Sequence, residues 1–419
     1  MTQPIAAQVT PGSRLASALG FMDAIALGLG AIIGGGIFIV TGIAAGLAGP
    51  ALVLSIILAA AISIITALSF VELTQWLPAE GSVYAYSRIL ISPFAGFLSG
   101  WMWIASNIFT GAAVALGVAH YLRSLLPGVN PKWISVLLCL GFALLNLLGV
   151  RHSARVNNVL VGTKVIVLLL FVAVGAFFFR PVHFTPFFTS ATGLFRGAFF
   201  IFFAFAGFAR VAIVAEEVRD ARKNVSRSMV LALVLSALTY IAVSIVALGL
   251  VGSSRLAGSK SPLADAIRVV GSPALVYLVS LGGMLAMASV LLTSILGVSR
   301  MIFAMAREGD LPIFLGRLHA KYHTPHFAIL IAGVGCAIVA AFFDVTAVVA
   351  ISTFAVLFNY SLANASALRL KAECVYPRAF PISGLLLCLF LMLFIQAHSF
   401  AAGIICLLLG VLSYLASKR

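Results

Sequence analysis

Hydrophobic residues run in long unbroken stretches along this chain, and polar residues gather in short clusters between them. A helix that crosses hydrocarbon needs about 20 apolar residues. Stretches of that order recur about a dozen times, near 21–45, 50–74, 93–122, 133–150, 157–179, 193–216, 229–252, 273–303, 327–343, 346–368, 380–397 and 400–416. The clusters between them hold the glycine, proline and charge that end helices, as in Ala306-Arg307-Glu308-Gly309-Asp310-Leu311-Pro312 after the eighth stretch. The pattern predicts an all-α membrane protein of about 12 transmembrane helices, one polytopic domain over residues 1–419. Little chain remains for a soluble domain.

Two of these spans contradict their own periodicity. Span 1 reads Gly28-Leu29-Gly30-Ala31-Ile32-Ile33-Gly34-Gly35-Gly36, and each glycine costs about 1 kcal/mol against alanine in a helix interior. Span 6 reads Phe202-Phe203-Ala204-Phe205-Ala206-Gly207-Phe208 and then turns polar at Arg210 and Glu216-Glu217. Unwound backbone at membrane depth is tolerated only where it is buried in protein or lines a watery cavity, so both breaks are candidate binding elements. They stand five spans apart, and odd and even spans cross in opposite directions. Corresponding breaks at that distance predict a five-plus-five inverted repeat with broken helices 1 and 6. The repeats are expected over about 18–180 and about 190–371, with helices 11 and 12, about 380–417, as scaffold or a dimer surface.

Composition removes the alternatives to a membrane protein. The 419 residues are 63% hydrophobic and only 9% charged, which no soluble globular domain of this size shows. The net charge of +15 would suit nucleic acid, but the basic residues are scattered over short loops rather than gathered on one folded face. With both termini in the cytoplasm, most Lys and Arg fall on cytoplasmic segments, the positive-inside signature of a multi-pass protein in the cell (inner or plasma) membrane. Met1 to Ser17 has no short apolar core before a small-residue cleavage site, so no removable signal peptide is expected. Cys139, Cys336, Cys388 and Cys406 lie in apolar spans, Cys374 lies in a loop, and neither they nor the seven histidines have metal-ligand spacing. No metal and no cofactor is expected. The oligomeric state is not legible.

Lys164 is the lysine set far inside a span. It lies nine residues beyond Arg155, roughly 14 Å at 1.5 Å per residue, too deep for a side chain of about 6 Å to reach water. Desolvation disfavours the charged form of an amine, so Lys164 either gains and releases a proton during a transport cycle or stays a permanent cation that staples helices together. At the first break, the half-helix that starts near Ile37 points free amides at Gly34, Gly35 and Gly36, and free amides at a positive helix end bind carboxylates. Carbonyls of Ile32 and Ile33, with those of Phe203, Ala204 and Ala206 beside Gly207, are acceptors for an ammonium. A zwitterionic amino acid satisfies both sets. Phe203, Phe205 and Phe208 are candidates for a gate or a side-chain pocket, and Ser289, Thr293 and Ser294 are polar groups at membrane depth. Arg210 is expected to pair with an acid such as Asp23 or Glu72, or else to reach a cytoplasmic-side cavity.

Five motifs in order resemble the amino acid–polyamine–organocation superfamily, in the branch of bacterial amino acid permeases related to cationic amino acid transporters. They are Gly30 to Gly42 with Ala48-Gly49-Pro50-Ala51, Glu72-Leu73 with Pro78, Gly81-Ser82-Val83-Tyr84-Ala85-Tyr86, Gly100-Trp101, and Ser299-Arg300 with Ala304 to Pro312. The resemblance implies alternating access through a twelve-span carrier. It also implies that Lys164 occupies the place where sodium-driven relatives bind an ion, with Ser289 as its neighbour, and that Phe203 acts as a substrate lid. Two departures bear on specificity. Relatives of the cationic type often carry an acid where this chain has Ser106 and Asn107, and many place one after Gly-Phe in span 6, where Ala209 and Arg210 stand here.

The expectation is therefore a secondary active transporter and not an enzyme, a proton symporter of neutral or small L-amino acids whose partners are that substrate, the proton and membrane lipid. An amino acid or polyamine exchanger, a cationic amino acid transporter and, more remotely, a non-transporting sensor are the competing readings. The glycine triplet lacks the Gly-Lys-Ser/Thr ending of a phosphate loop, and no ring of pore-lining groups suggests a channel.

Overall fold

A computed structural model of the chain describes residues 20–77, 83–149, 154–213, 218–322, 324–370 and 375–417. The termini, Pro78, Gly81-Ser82, Arg151, Glu216-Glu217 and Cys374 lie outside the described residues. Eight helical stretches are long and apolar enough to cross a membrane. The first, Phe21–Trp76, holds spans 1 and 2, and three shorter apolar helices, Pro131–Leu147, His326–Phe342 and Ala379–Met392, stand where spans 4, 9 and 11 are expected. With these counted, the described residues carry the twelve spans expected from the sequence.

Several helices outrun their apolar stretches, because hydropathy registers hydrocarbon whereas the helix goes on into the headgroup layer. Span 3 covers Pro93–Leu125, span 7 Ala221–Gly258 and span 8 Pro273–Arg307. Span 7 turns at Gly252, whose φ of 77° is a left-handed conformation that favours glycine. Local chemistry fixes the starts. Ser92 accepts a bond from the Ala95 amide ahead of Pro93, Asn130 accepts from the Lys132 amide ahead of Pro131, and Asp344 caps span 10, Val345–Leu368.

Both expected breaks are present. Span 1 is helical over Phe21–Ile32 (half-helix 1a), extended at Ile33, wound as a π-turn over Gly36–Val40 and helical again over Thr41–Ala48. Span 6 is helical over Ala191–Phe205 (half-helix 6a), then tightens to a 3-10 turn at Ala206–Ala209 before Arg210–Ile213. The packing respects the exchange of the two halves. Half-helix 1a packs on span 7 as half-helix 6a packs on span 2, Leu52–Trp76; span 3 packs on span 10 as span 8 packs on span 5, Ala154–Gly175; spans 3 and 8 pack on each other, as do 4 and 9. Leucines of spans 5, 11 and 12 such as Leu169, Leu386 and Leu412 face outward, an apolar surface suited to lipid and unsuited to water.

The two breaks cross in direct contact. A Cβ on Gly36 would come within 2.4 Å of Ala204 Cα, and a Cβ on Gly207 within 2.1 Å of the Ala31 carbonyl oxygen. Each half thus presses a glycine onto the main chain of the other, which no larger residue allows. On the face where span 1 begins, two of the sequence motifs meet: Asp310, in the loop after span 8, accepts bonds from Tyr84 at 2.7 Å and from Arg88, both on the short helix Val83–Leu90. Burial and the Asp310 carboxylate hold the Tyr84 hydroxyl above its ordinary pKa, so it remains a donor.

The crossing predicts a sharp contrast between glycines. Gly207→Ala should cost about 1–3 kcal/mol by overpacking against backbone that cannot yield. Gly141→Ala, where an added Cβ meets nothing within 4 Å, should leave the thermal unfolding midpoint in detergent unchanged or slightly raised. Equal midpoints for the two variants would show that the crossing is not tightly packed.

Candidate functional site

A cavity opens at the crossing and extends toward the face where span 1 begins. Counting the open space at its mouth, it measures about 660 Å³. Span 1 contributes Ala31, Ile32 and the glycine triplet, span 6 contributes Phe203, Ala206, Gly207, Ala209 and Arg210, and spans 3, 8 and 10 supply Trp103, Asn107, Val290 and Asn359 among others. Of the residues expected from the sequence to bind substrate, Ile32, Gly34, Gly35, Gly36, Phe203, Ala206 and Gly207 line it.

Ile33, Ile37, Ala204 and Phe205 stand close by with other contacts. The Ile33 amide closes half-helix 1a on the Leu29 carbonyl, and the Ile37 carbonyl accepts a bond from Thr41 at 2.6 Å. Ala204 supports Gly36. Phe205 packs against the Tyr240 ring with centroids 5.2 Å apart, and Phe208 packs edge-on to Phe70. Among the three phenylalanines considered from sequence, Phe203 is therefore the one on the cavity wall.

Four of the five carbonyls expected to receive an ammonium already have donors. Tyr240 of span 7 donates to the Ile32 oxygen at 2.8 Å and lies 3.3 Å from that of Ala204, bridging the two breaks. Tyr360 of span 10 donates to Ala206, and the Ala206 amide donates to Phe203. A carbonyl oxygen has two lone pairs, so each keeps a second acceptor position. Sequence reasoning missed both tyrosines. The available signal was a phenol inside an apolar run, since a buried tyrosine hydroxyl usually finds a partner.

Lys164 is 1% exposed. Its Nζ donates to Ser289 Oγ at 2.6 Å and to the Gly30 carbonyl at 3.3 Å. Gly30 belongs to the last turn of half-helix 1a, where carbonyls lack helical partners and the helix dipole is negative. Lys164 and Ser289 thus meet just behind the cavity, whose wall includes the adjacent Val290. Asp, Glu, His and Cys form no metal-binding cluster among the described residues.

Arg210 departs from the expected ion pair. It bonds Thr293, Ser294 and Asn107, all neutral, while Asp23 bonds Asn158 and the Gly20 amide and Glu72 bonds the Tyr376 amide. The reason is geometric: the turn at Ala206–Ala209 aims the guanidinium into the cavity wall, its other expected place.

Two broken helices crossing at midspan, with a buried lysine at the end of one, are an arrangement for carrying solute. The profile of the amino acid permease family matches residues 19–413. The chain belongs to this family. An uncharacterised transporter of Mycobacterium tuberculosis is 34% identical to this permease over 99% of its length and 94% of the relative's. The branched-chain amino acid permease BcaP of Bacillus subtilis is 30% identical, with 100% and 96% covered, and a methylthioribose transporter of the same organism is 30% identical, with 97% and 94% covered. The permease is a multi-pass membrane transport protein and not an enzyme.

Tyr240→Phe removes the bridge between the breaks without changing the ring. It should lower stability by about 0.5–1.5 kcal/mol and slow transport, whereas Tyr277→Phe, at a position 53% exposed, should do neither. Thermal unfolding and uptake by the two variants, side by side, test this.

Proposed function

We propose that this permease is a proton-coupled symporter of L-amino acids that works by alternating access in the plasma membrane, with both termini in the cytoplasm. The observation that carries the reading is the contact of Lys164 with Ser289 and Gly30. An ammonium there occupies the end of half-helix 1a that a coupling cation would occupy, and a change in its protonation alters what holds span 1 to spans 5 and 8. Substrate at the glycine break and the proton on Lys164 then bear on the same half-helix, which is the requirement for linked binding.

The amides near Gly34 to Gly36 suit the substrate carboxylate, and the second lone pairs of the break carbonyls suit its ammonium. Phe203 covers the site from the wall. The range favoured is neutral or small amino acids over cationic ones, because the cavity wall offers Arg210 and no described carboxylate.

Uptake of a panel of labelled amino acids into proteoliposomes, under an inward proton gradient, a sodium gradient or neither, tests the proposal. Accumulation driven by protons and abolished by Lys164→Ala is the expected outcome. Uptake only against preloaded amino acid, with Lys164→Ala still active, would make the permease an exchanger and Lys164 a structural cation.

A further inference from the structure

Arg210 brings to the cavity a positive charge that no described side chain answers. Nη1 donates to Thr293 Oγ1 at 2.8 Å, and Nη2 to Ser294 Oγ at 3.3 Å and Asn107 Oδ1 at 3.5 Å. Ion pairs among the described residues lie elsewhere, joining Arg88 to Asp310 and Glu308 and Arg268 to Asp265. A guanidinium does not give up its proton in proteins and carries five N–H donors in a fixed fork. Holding such a group at membrane depth without an anion is expensive, and the fork matches a carboxylate with two parallel bonds.

Thr293, Ser294 and Asn107 fix the guanidinium from spans 8 and 3, on the wall of the cavity that holds the glycine triplet. If the substrate's α-carboxylate takes the glycine amides, as proposed above, the anion that Arg210 lacks among the described residues is supplied from elsewhere on the substrate. We infer that the permease accepts small amino acids with a carboxylate side chain, aspartate first, and that Arg210 receives that second carboxylate. Arg210 is on this account the residue that sets the sign of the side chain: it draws anionic ones and repels cationic ones. The inference rests on the amino-acid reading of the cavity and extends its substrate range from neutral to dicarboxylic amino acids.

The test uses the full chain in proteoliposomes under an inward proton gradient, with labelled alanine and aspartate, for the native protein, Arg210→Gln and Arg210→Lys. The native protein should accumulate aspartate, and unlabelled aspartate should inhibit alanine uptake more strongly than asparagine does. Loss of a charge-assisted pair weakens binding by about tenfold or more, so Arg210→Gln should lower aspartate uptake by that factor relative to its own alanine uptake. Arg210→Lys should fall between. Alanine uptake by a native protein that neither carries aspartate nor is inhibited by it overturns the inference and leaves the transport reading intact. An equal loss of alanine and aspartate uptake in a well-folded Arg210→Gln also overturns it, since Arg210 then serves the part common to both substrates. Failure to carry any amino acid under any gradient removes the transport reading and this inference with it. Should Arg210→Gln not fold, competition by aspartate against asparagine in the native protein still decides.

Discussion

The contact on which the rest of this permease depends is the crossing of its two broken spans, glycine against main chain in both directions. Gly36 sits on Ala204 and Gly207 on the Ala31 carbonyl, so the interruptions approach as closely as polypeptide can. Main chain brought this near at membrane depth must find hydrogen bonds without water. Tyr240 and Tyr360 supply donors from spans 7 and 10, and Lys164 supplies one from span 5. The helices around the crossing thus partner backbone groups that the breaks set free, and the same breaks form one end of the cavity.

Charge follows the same logic. The basic side chains of Lys164 and Arg210, at membrane depth, both bond neutral oxygens, and Asp23 and Glu72 are engaged elsewhere. By contrast, a buried and fully compensated carboxylate lies at the face where span 1 begins, where Asp310 is buried between Tyr84 and Arg88. That cluster ties the segment between spans 2 and 3 to the loop after span 8. Two motifs more than two hundred residues apart in the chain serve one contact there.

The spans, the membrane setting, the breaks in spans 1 and 6 and the depth of Lys164 were all decided by sequence alone. The physical reason is that hydrocarbon is a uniform solvent: about 20 apolar residues, a glycine triplet or a lone lysine has the same meaning in it wherever the chain later folds. Partners were decided by tertiary structure, because they come from residues far apart in the chain. No local pattern assigns Tyr240 to the Ile32 carbonyl across 208 residues, turns Phe205 away from the cavity while Phe203 faces it, or gives Arg210 three neutral partners in place of an acid. Those outcomes follow from which glycine lets which backbone approach, and that is settled only when the two breaks cross.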